Sequence, residues 1–186
     1  MSLFDHFKRK NPTSSSTNHN NHENNNSSSS NNNGKKQRVA RTNPNTIISF
    51  NANGFASRIF QNMDSIQNLL KIEDPDIICI QECKLAAHCD STNAKRGDGK
   101  PRRRHALSTS SKKSREEFYK IKSALQEGLL KNYEIYWSLS DWKYAGTAML
   151  IKRDISILSK RYTIPSEKNI NSNKRHKDGR VMIFEI

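Results

Sequence analysis

The chain has 186 residues and a formal net charge of +14, from Lys+Arg 32 against Asp+Glu 18, with 33% hydrophobic residues. A field of that sign attracts polyanions, with affinity that falls steeply as salt rises, although basic tails on a soluble protein give the same balance. Three cysteines, no apolar run of membrane-spanning length and no apolar core of a signal peptide argue against a disulfide scaffold, a membrane protein and a secreted one, so a reducing compartment is expected.

Residues 1–44 read as a disordered, low-complexity N-terminal tail. Ser2-Leu3-Phe4-Asp5-His6-Phe7 followed by Lys8-Arg9-Lys10 is a short apolar and aromatic cluster. Residues 2–10 resemble the sliding-clamp-binding peptides of several DNA-repair enzymes, without the Gln those peptides usually carry. From Asn11 to Asn33 the chain is nearly all Asn, Ser, Thr and His, with too little apolar surface to offset its ordering entropy. Lys35, Lys36, Arg38 and Arg41 then form a basic approach to the first strand. It reads as a solvated linker, a phosphate contact or part of a nuclear-import signal.

Ile47-Ile48-Ser49-Phe50-Asn51-Ala52-Asn53-Gly54 starts as a β-branched apolar block and turns polar, the pattern of a buried strand. Ile59, Phe60, Met63, Ile66, Leu69 and Leu70 recur at three- and four-residue steps, which predicts one amphipathic helix capped by Ser57. Pro75 ends that helix ahead of a second apolar run, Asp76-Ile77-Ile78-Cys79-Ile80-Gln81-Glu82-Cys83-Lys84. The β-α-β start puts an amide, Asn51, and a carboxylate, Glu82, at the ends of two strands. An oxygen-rich pair on rigid strand ends suits a hard cation such as Mg²⁺, which takes one or two carboxylates and keeps its other positions for water and phosphate. Cys79, Cys83, His88 and Cys89 fall close together, but not at the spacing of a structural zinc site. One buried thiol and loop thiols are the better reading.

Residues 89–113 hold Lys95, Arg96, Lys100, Arg102, Arg103, Arg104, His105, Lys112 and Lys113 among Gly, Ser and Thr and are expected to be structureless. Three readings stand side by side: a DNA grip by Arg102, Arg103 and Arg104, a nuclear-localisation signal on Lys100-Pro101-Arg102-Arg103-Arg104, or a solvated loop. Ser114-Arg115-Glu116-Glu117 is a capping-box pattern that opens a second helix with Phe118, Ile121, Leu125 and Leu129 along one face. Tyr133 to Ser138, Ala145 to Lys152, Ile155 to Ser159 and Val181 to Ile186 read as strands. Trp137 and Trp142 read as packing residues.

In chain order SFNANG from Ser49, PDIICIQECKL from Pro75, WKYAGTAMLIK from Trp142 and DGRVMIFEI from Asp178 resemble the exonuclease III type of AP endonuclease, within the endonuclease/exonuclease/phosphatase superfamily. Gln81-Glu82-Cys83-Lys84 discriminates best, since a lysine at that place is typical of AP endonucleases. The resemblance implies an α/β fold, the N-terminal half of a four-layer α/β sandwich built of two facing mixed sheets with outer helices. On that view 45–186 is an incomplete domain and 89–113 an insertion in it.

The activity implied is that of a DNA-(apurinic or apyrimidinic site) endonuclease and 3′ exonuclease of base-excision repair, nuclear, using Mg²⁺ or Mn²⁺ on duplex DNA with abasic sites and with no membrane partner. Glu82 is then the metal ligand. Asn51 bonds a phosphate oxygen or a neighbouring catalytic group and helps to set the metal site. Asn53 stands where relatives carry Asp or Asn, and Lys84 is placed to orient the acidic groups. Tyr144, with Ala145 and Gly146 after it, resembles the family's DNA-gripping loop, where glycine admits phosphate and the ring packs on a sugar or base. Arg180 contacts phosphate or pairs within the fold. The family's catalytic Tyr, Asp-x-Asn and Asp-His groups have no counterpart here, and the chain stops inside its last strand. A piece of a longer protein, nearly inactive alone, is therefore expected. The competing readings are a non-catalytic DNA-binding or interaction protein of this descent, and another nuclease of the superfamily such as a retroelement endonuclease.

Overall fold

The computed structural model describes residues 43–91, 95, 98–164 and 178–186. In chain order the first elements are β1 (Ile47–Asn51), α1 (Phe55–Gln61), α2 (Met63–Glu73), β2 (Ile77–Gln81), β3 (Ala87–His88) and β4 (Arg103–Leu107). They are followed by α3 (Lys112–Ala124), a 3₁₀ turn (Gly128–Asn132), β5 (Tyr133–Ser138), β6 (Thr147–Lys152), β7 (Ser159–Arg161) and β8 (Ile183–Glu185). The expected disordered tail, the clamp-binding peptide and the basic approach lie outside the described residues.

A mixed four-stranded sheet in the order β1-β2-β6-β5 organises the chain. β1 and β2 are parallel, a pairing that needs a crossover, and α1 with α2 supplies it. β6 runs antiparallel to both β2 and β5. Because side chains alternate across a sheet, Ile78, Ile80, Ala148, Leu150 and Trp137 share one face and meet Phe55, Ile59, Leu70, Ile121 and Leu130 from the helices and the 3₁₀ turn. Leu150 is 1% exposed in that layer, and its truncation to Ala is worth about 2–5 kcal/mol. The opposite face carries Ile77, Ile151 and Ile155, with Cys79, Tyr136, Met149, Phe184 and Ile186 against them. Phe184 comes from the antiparallel β7–β8 pair and sets its ring edge-on to Tyr136, centroids 5.0 Å apart. Among the described residues no helix is long and apolar enough to cross a membrane.

Several local expectations change. The single helix is two, broken at Asn62, which has φ −127° and ψ 28°. Ser57 lies inside α1, which starts earlier because the ladder with β2 continues through Gly54 and Phe55. The break shifts the helical phase and leaves Phe60 67% exposed, with Lys120 Nζ 4.4 Å from its ring centroid. The cap of α3 is Ser111, whose Oγ accepts from the Ser114 N–H at 3.1 Å, so the capping pattern sits one turn too late. That helix stops before Leu129. The left-handed Gly128 (φ 49°) opens the 3₁₀ turn instead, and Leu130 is the buried residue.

The 89–113 segment is not structureless throughout. β4 pairs with β3, Ala87 opposite Leu107 and His88 opposite Arg103, with a bulge between. Ile155 packs in the turn after β6 rather than opening a strand, and the next strand begins at Ser159. β6 begins at Thr147 because Ala145 and Gly146 are left-handed.

Candidate active site

In-register parallel pairing sets Asn51 opposite Gln81 and brings the carboxyl ends of β1 and β2 to one edge of the sheet. The ladder then runs past the strands: the amides of Ala52, Gly54 and Phe55 donate to the carbonyls of Gln81 (2.9 Å), Glu82 (2.8 Å) and Cys83 (3.0 Å). Asn51 and Asn53 are thereby fastened to the loop of Glu82 and Lys84. A third loop joins them, since the amides of Cys83 and Lys84 donate to the carbonyls of Gly146 (2.9 Å) and Ala145 (2.8 Å).

These three loops concentrate left-handed backbone: Asn53 (φ 46°), Gly54 (112°), Glu82 (53°), Lys84 (52°), Ala145 (48°) and Gly146 (80°). Among the described non-glycine residues with positive φ only Asp74 lies elsewhere. For the non-glycine residues such conformations are worth roughly 1–3 kcal/mol of strain apiece and persist where the surroundings over-determine them, as at functional sites.

Asn51 Oδ1 accepts the Asn53 N–H at 2.9 Å, a local turn that fixes the amide and leaves it one acceptor lone pair and its NH₂. Lys84 Nζ donates to Asn53 Oδ1. Glu82 is half-buried, and among the described residues its carboxylate has no hydrogen bond or ion pair. Beside it Cys83 is fully buried. Burial, with the charge of Glu82, pushes that thiol up. A carboxylate and a fixed amide oxygen at the ends of two paired strands fit a hard cation that completes its shell with water and phosphate. Among the described residues no three His, Cys, Asp or Glu stand together as a complete protein cage.

The structure brings Tyr144 and Arg180 together, while Arg102, Arg103 and Arg104 pair with other partners. Arg180 Nη2 donates to the Tyr144 hydroxyl at 3.0 Å, and both residues are exposed. Arg102 keeps 4% of its side chain exposed, with Nη2 3.1 Å from Asp98 Oδ1 and Nε 3.6 Å from Asp141 Oδ1. Arg104, 14% exposed, reaches Asp141 Oδ1 at 2.6 Å. Only Arg103 holds an exposed guanidinium, paired with Asp90. Asp141 goes unnoticed in the sequence, where nothing marks a single acid between Ser140 and Trp142. Trp137 packs edge-on to Phe55, as a core residue.

Fold and site together define an α/β protein with an oxygen-donor pair at the carboxyl edge of its sheet. The sequence model of the Endonuclease/Exonuclease/phosphatase family matches residues 48–175, and the chain belongs to that family. It is similar to a DNA-(apurinic or apyrimidinic site) endonuclease of Arabidopsis thaliana, 32% identical over 146 residues, covering 78% of this chain and 37% of the relative. Proteins of the same description match from Plasmodium berghei (strain Anka), at 28% identity over 78% of this chain and 29% of theirs, and from Plasmodium falciparum (isolate 3D7), at 31% over 75% and 24%. The chain thus spans well under half the length of these relatives. Among solved structures, AP endonuclease LMAP from Leishmania major aligns over 74% of this chain and 34% of its own, at 17% identity and a TM-score of 0.43.

Proposed function

We propose that this chain carries the cation-binding wall of a metal-dependent phosphodiesterase that incises DNA beside an abasic site, the backbone-opening step of base-excision repair, in the nucleus. The observation behind this reading is the placement of Asn51 and Glu82 at the paired carboxyl ends of β1 and β2, with the Glu82 carboxylate unpaired among the described residues. The relatives, DNA-(apurinic or apyrimidinic site) endonucleases, support it. Mg²⁺ or Mn²⁺ bound there would neutralise charge developing on the phosphate during in-line attack by water and departure of the 3′ oxygen.

The chain's own residues have separate tasks in this scheme. Glu82 supplies the anionic ligand, and Asn51, fixed through Asn53, supplies an amide oxygen or turns its NH₂ to a phosphate oxygen. Lys84 holds Asn53 in place. Tyr144 and Arg180 offer a ring and a cation to the neighbouring DNA backbone. Removal of a 3′ block is a second reaction open to the same site.

Mn²⁺ binding, read by water-proton relaxation, tests the ligand directly. Glu82→Gln is expected to weaken it roughly tenfold or more, as loss of the one charged ligand implies. Unchanged binding would remove Glu82 from the metal site. The chain alone is expected to incise an abasic duplex little. Binding of that duplex with equal strength in the variant and without divalent cation favours a DNA-binding role without cleavage.

A further inference from the structure

Away from Asn51 and Glu82, a charge cluster joins the 89–113 segment to residues 139–143. Arg102 is nearly buried between Asp98 and Asp141, and its guanidinium carbon lies 5.3 Å from the centre of the Trp142 ring. Arginine is rarely withdrawn from water unless paired, and loss of one partner strands the other charge. Arg104 bonds the same stretch twice more. Its Nη1 donates to Leu139 O at 3.1 Å, and its carbonyl accepts the Leu139 N–H at 2.9 Å. The Ala87 N–H donates to Ser140 O at 2.9 Å, and Lys143 Nζ lies 2.6 Å from Glu117 on α3.

The anchored stretch leads straight into the candidate site. The Tyr144 N–H donates to Trp142 O at 2.6 Å, and the next two carbonyls, of Ala145 and Gly146, receive the amides of Lys84 and Cys83 beside Glu82. Ala145 is left-handed, a conformation that in a non-glycine residue needs support from outside the turn.

We propose that Arg102, Asp141 and Arg104 form a clasp by which the 89–113 segment positions the Tyr144–Gly146 loop against Glu82. They are positioning residues, and this basic run acts through the fold rather than as a free tether for DNA. The effect on DNA rests on the phosphodiesterase reading. The effect on the loop does not.

The two views of the run differ in sign at Asp141. Replacing a carboxylate by an amide makes the chain more positive, so its field alone would tighten DNA binding, whereas a slack loop loosens it. The test uses Asp141→Asn and the conservative Asp141→Glu in the full chain. Backbone hydrogen exchange is followed at Cys83 and Lys84, with the Ile78 and Ile80 amides of β2 as an internal reference for global stability. Duplex affinity is measured at one salt concentration.

In Asp141→Asn, exchange at Cys83 and Lys84 is expected to rise roughly tenfold relative to Ile78 and Ile80, the scale of about 1.4 kcal/mol of local opening. DNA affinity should fall about threefold or more, and Asp141→Glu should restore both. Unchanged relative exchange, or affinity that rises as the charge dictates, overturns the clasp. If the wild-type chain binds no duplex, the phosphodiesterase reading fails, and the exchange ratio alone then decides for or against the clasp.

Discussion

Arg180 lies across the ring of Tyr144, its guanidinium carbon 5.5 Å from the ring centroid. The two residues come from distant loops that are stitched together where the Gly146 N–H donates to Asp178 O (3.3 Å) and Thr147 Oγ1 to Gly179 O (3.0 Å). The pair keeps an exposed ring, 53% for Tyr144, next to an exposed cation. If it receives the DNA backbone, Arg180→Ala should weaken duplex binding at all sequences and reduce the slope of log K against log salt by about one. Tyr144→Ala should weaken it by about 1–3 kcal/mol through loss of the stacking surface, with Tyr144→Phe near wild type. Fluorescence anisotropy over a salt series measures all three, and an Arg180→Ala slope equal to wild type would exclude a phosphate contact.

Gly179 shows how tightly this junction is built. A Cβ there would sit 2.2 Å from Ser138 O and 2.6 Å from the Ser138 and Leu139 carbonyl carbons, all backbone, and its φ is +61°. Gly179→Ala must therefore push the 178–180 segment away from β5, taking Arg180 with it. Gly128 offers a control, because the nearest atoms a Cβ there would meet belong to the Gln67 side chain, not to backbone. Gly179→Ala is expected to be the more destabilising of the two in denaturant titrations, by roughly 1–3 kcal/mol, and equal midpoints would contradict the packing.

The helix caps make a sharper comparison. Ser111→Ala removes the acceptor for the Ser114 N–H and should cost about 1 kcal/mol. Ser57→Ala, on an exposed position inside α1, should be neutral or slightly stabilising, since alanine is the better helix former. Thermal unfolding of the two variants separates the structure from the sequence pattern that points to Ser57.

What could be read from residues alone follows from how local the cause is. The strands ending at Asn51 and Glu82 are legible because their β-branched runs, the intervening apolar helical period and Pro75 are all local signals. The edge they share follows from the β-α-β connection. The break at Asn62 is not legible, since no Gly or Pro marks it. β4 is hidden too. Arg103-Arg104-His105 has little strand preference, and its order comes from partners far along the chain, Ala87, Leu139 and Asp141. Charge runs are especially deceptive in this respect, because a sequence shows the cations at Arg102 and Arg104 but not the carboxylates they meet.

The last prediction concerns alkaline pH and the end of the sheet opposite the candidate site. Lys152 Nζ lies 2.8 Å from Asp74 Oδ1 and 3.1 Å from Asp76 Oδ1, and the Asp76 side chain is 3% exposed. Its other oxygen accepts the Asn45 N–H at 2.7 Å. Burial works against the Lys152 charge, but hydrogen bonds to Asp74 and Asp76 and their charges outweigh it and hold the ammonium above its ordinary 10.5. Nearby Tyr133 donates to Pro75 O at 2.5 Å, and burial, with the charges of Asp74 and Asp76, pushes its hydroxyl above the ordinary 10.0. Both groups keep in the folded state a proton that the unfolded chain releases first. Their contribution is therefore complete below about pH 10 and is lost as pH rises from there through the folded values. Unfolding free energy should be flat in this respect from neutral pH to about 10 and then decline, with a shallower decline in Tyr133→Phe. Lys152→Met takes the Lys152 ammonium away from the buried Asp76 and should cost up to about 3–5 kcal/mol at neutral pH. Urea titrations between neutral pH and about 11 supply both numbers. An alkaline decline unaltered by Tyr133→Phe, or a neutral Lys152→Met, would show that this cluster does not set the stability of the sheet's far end.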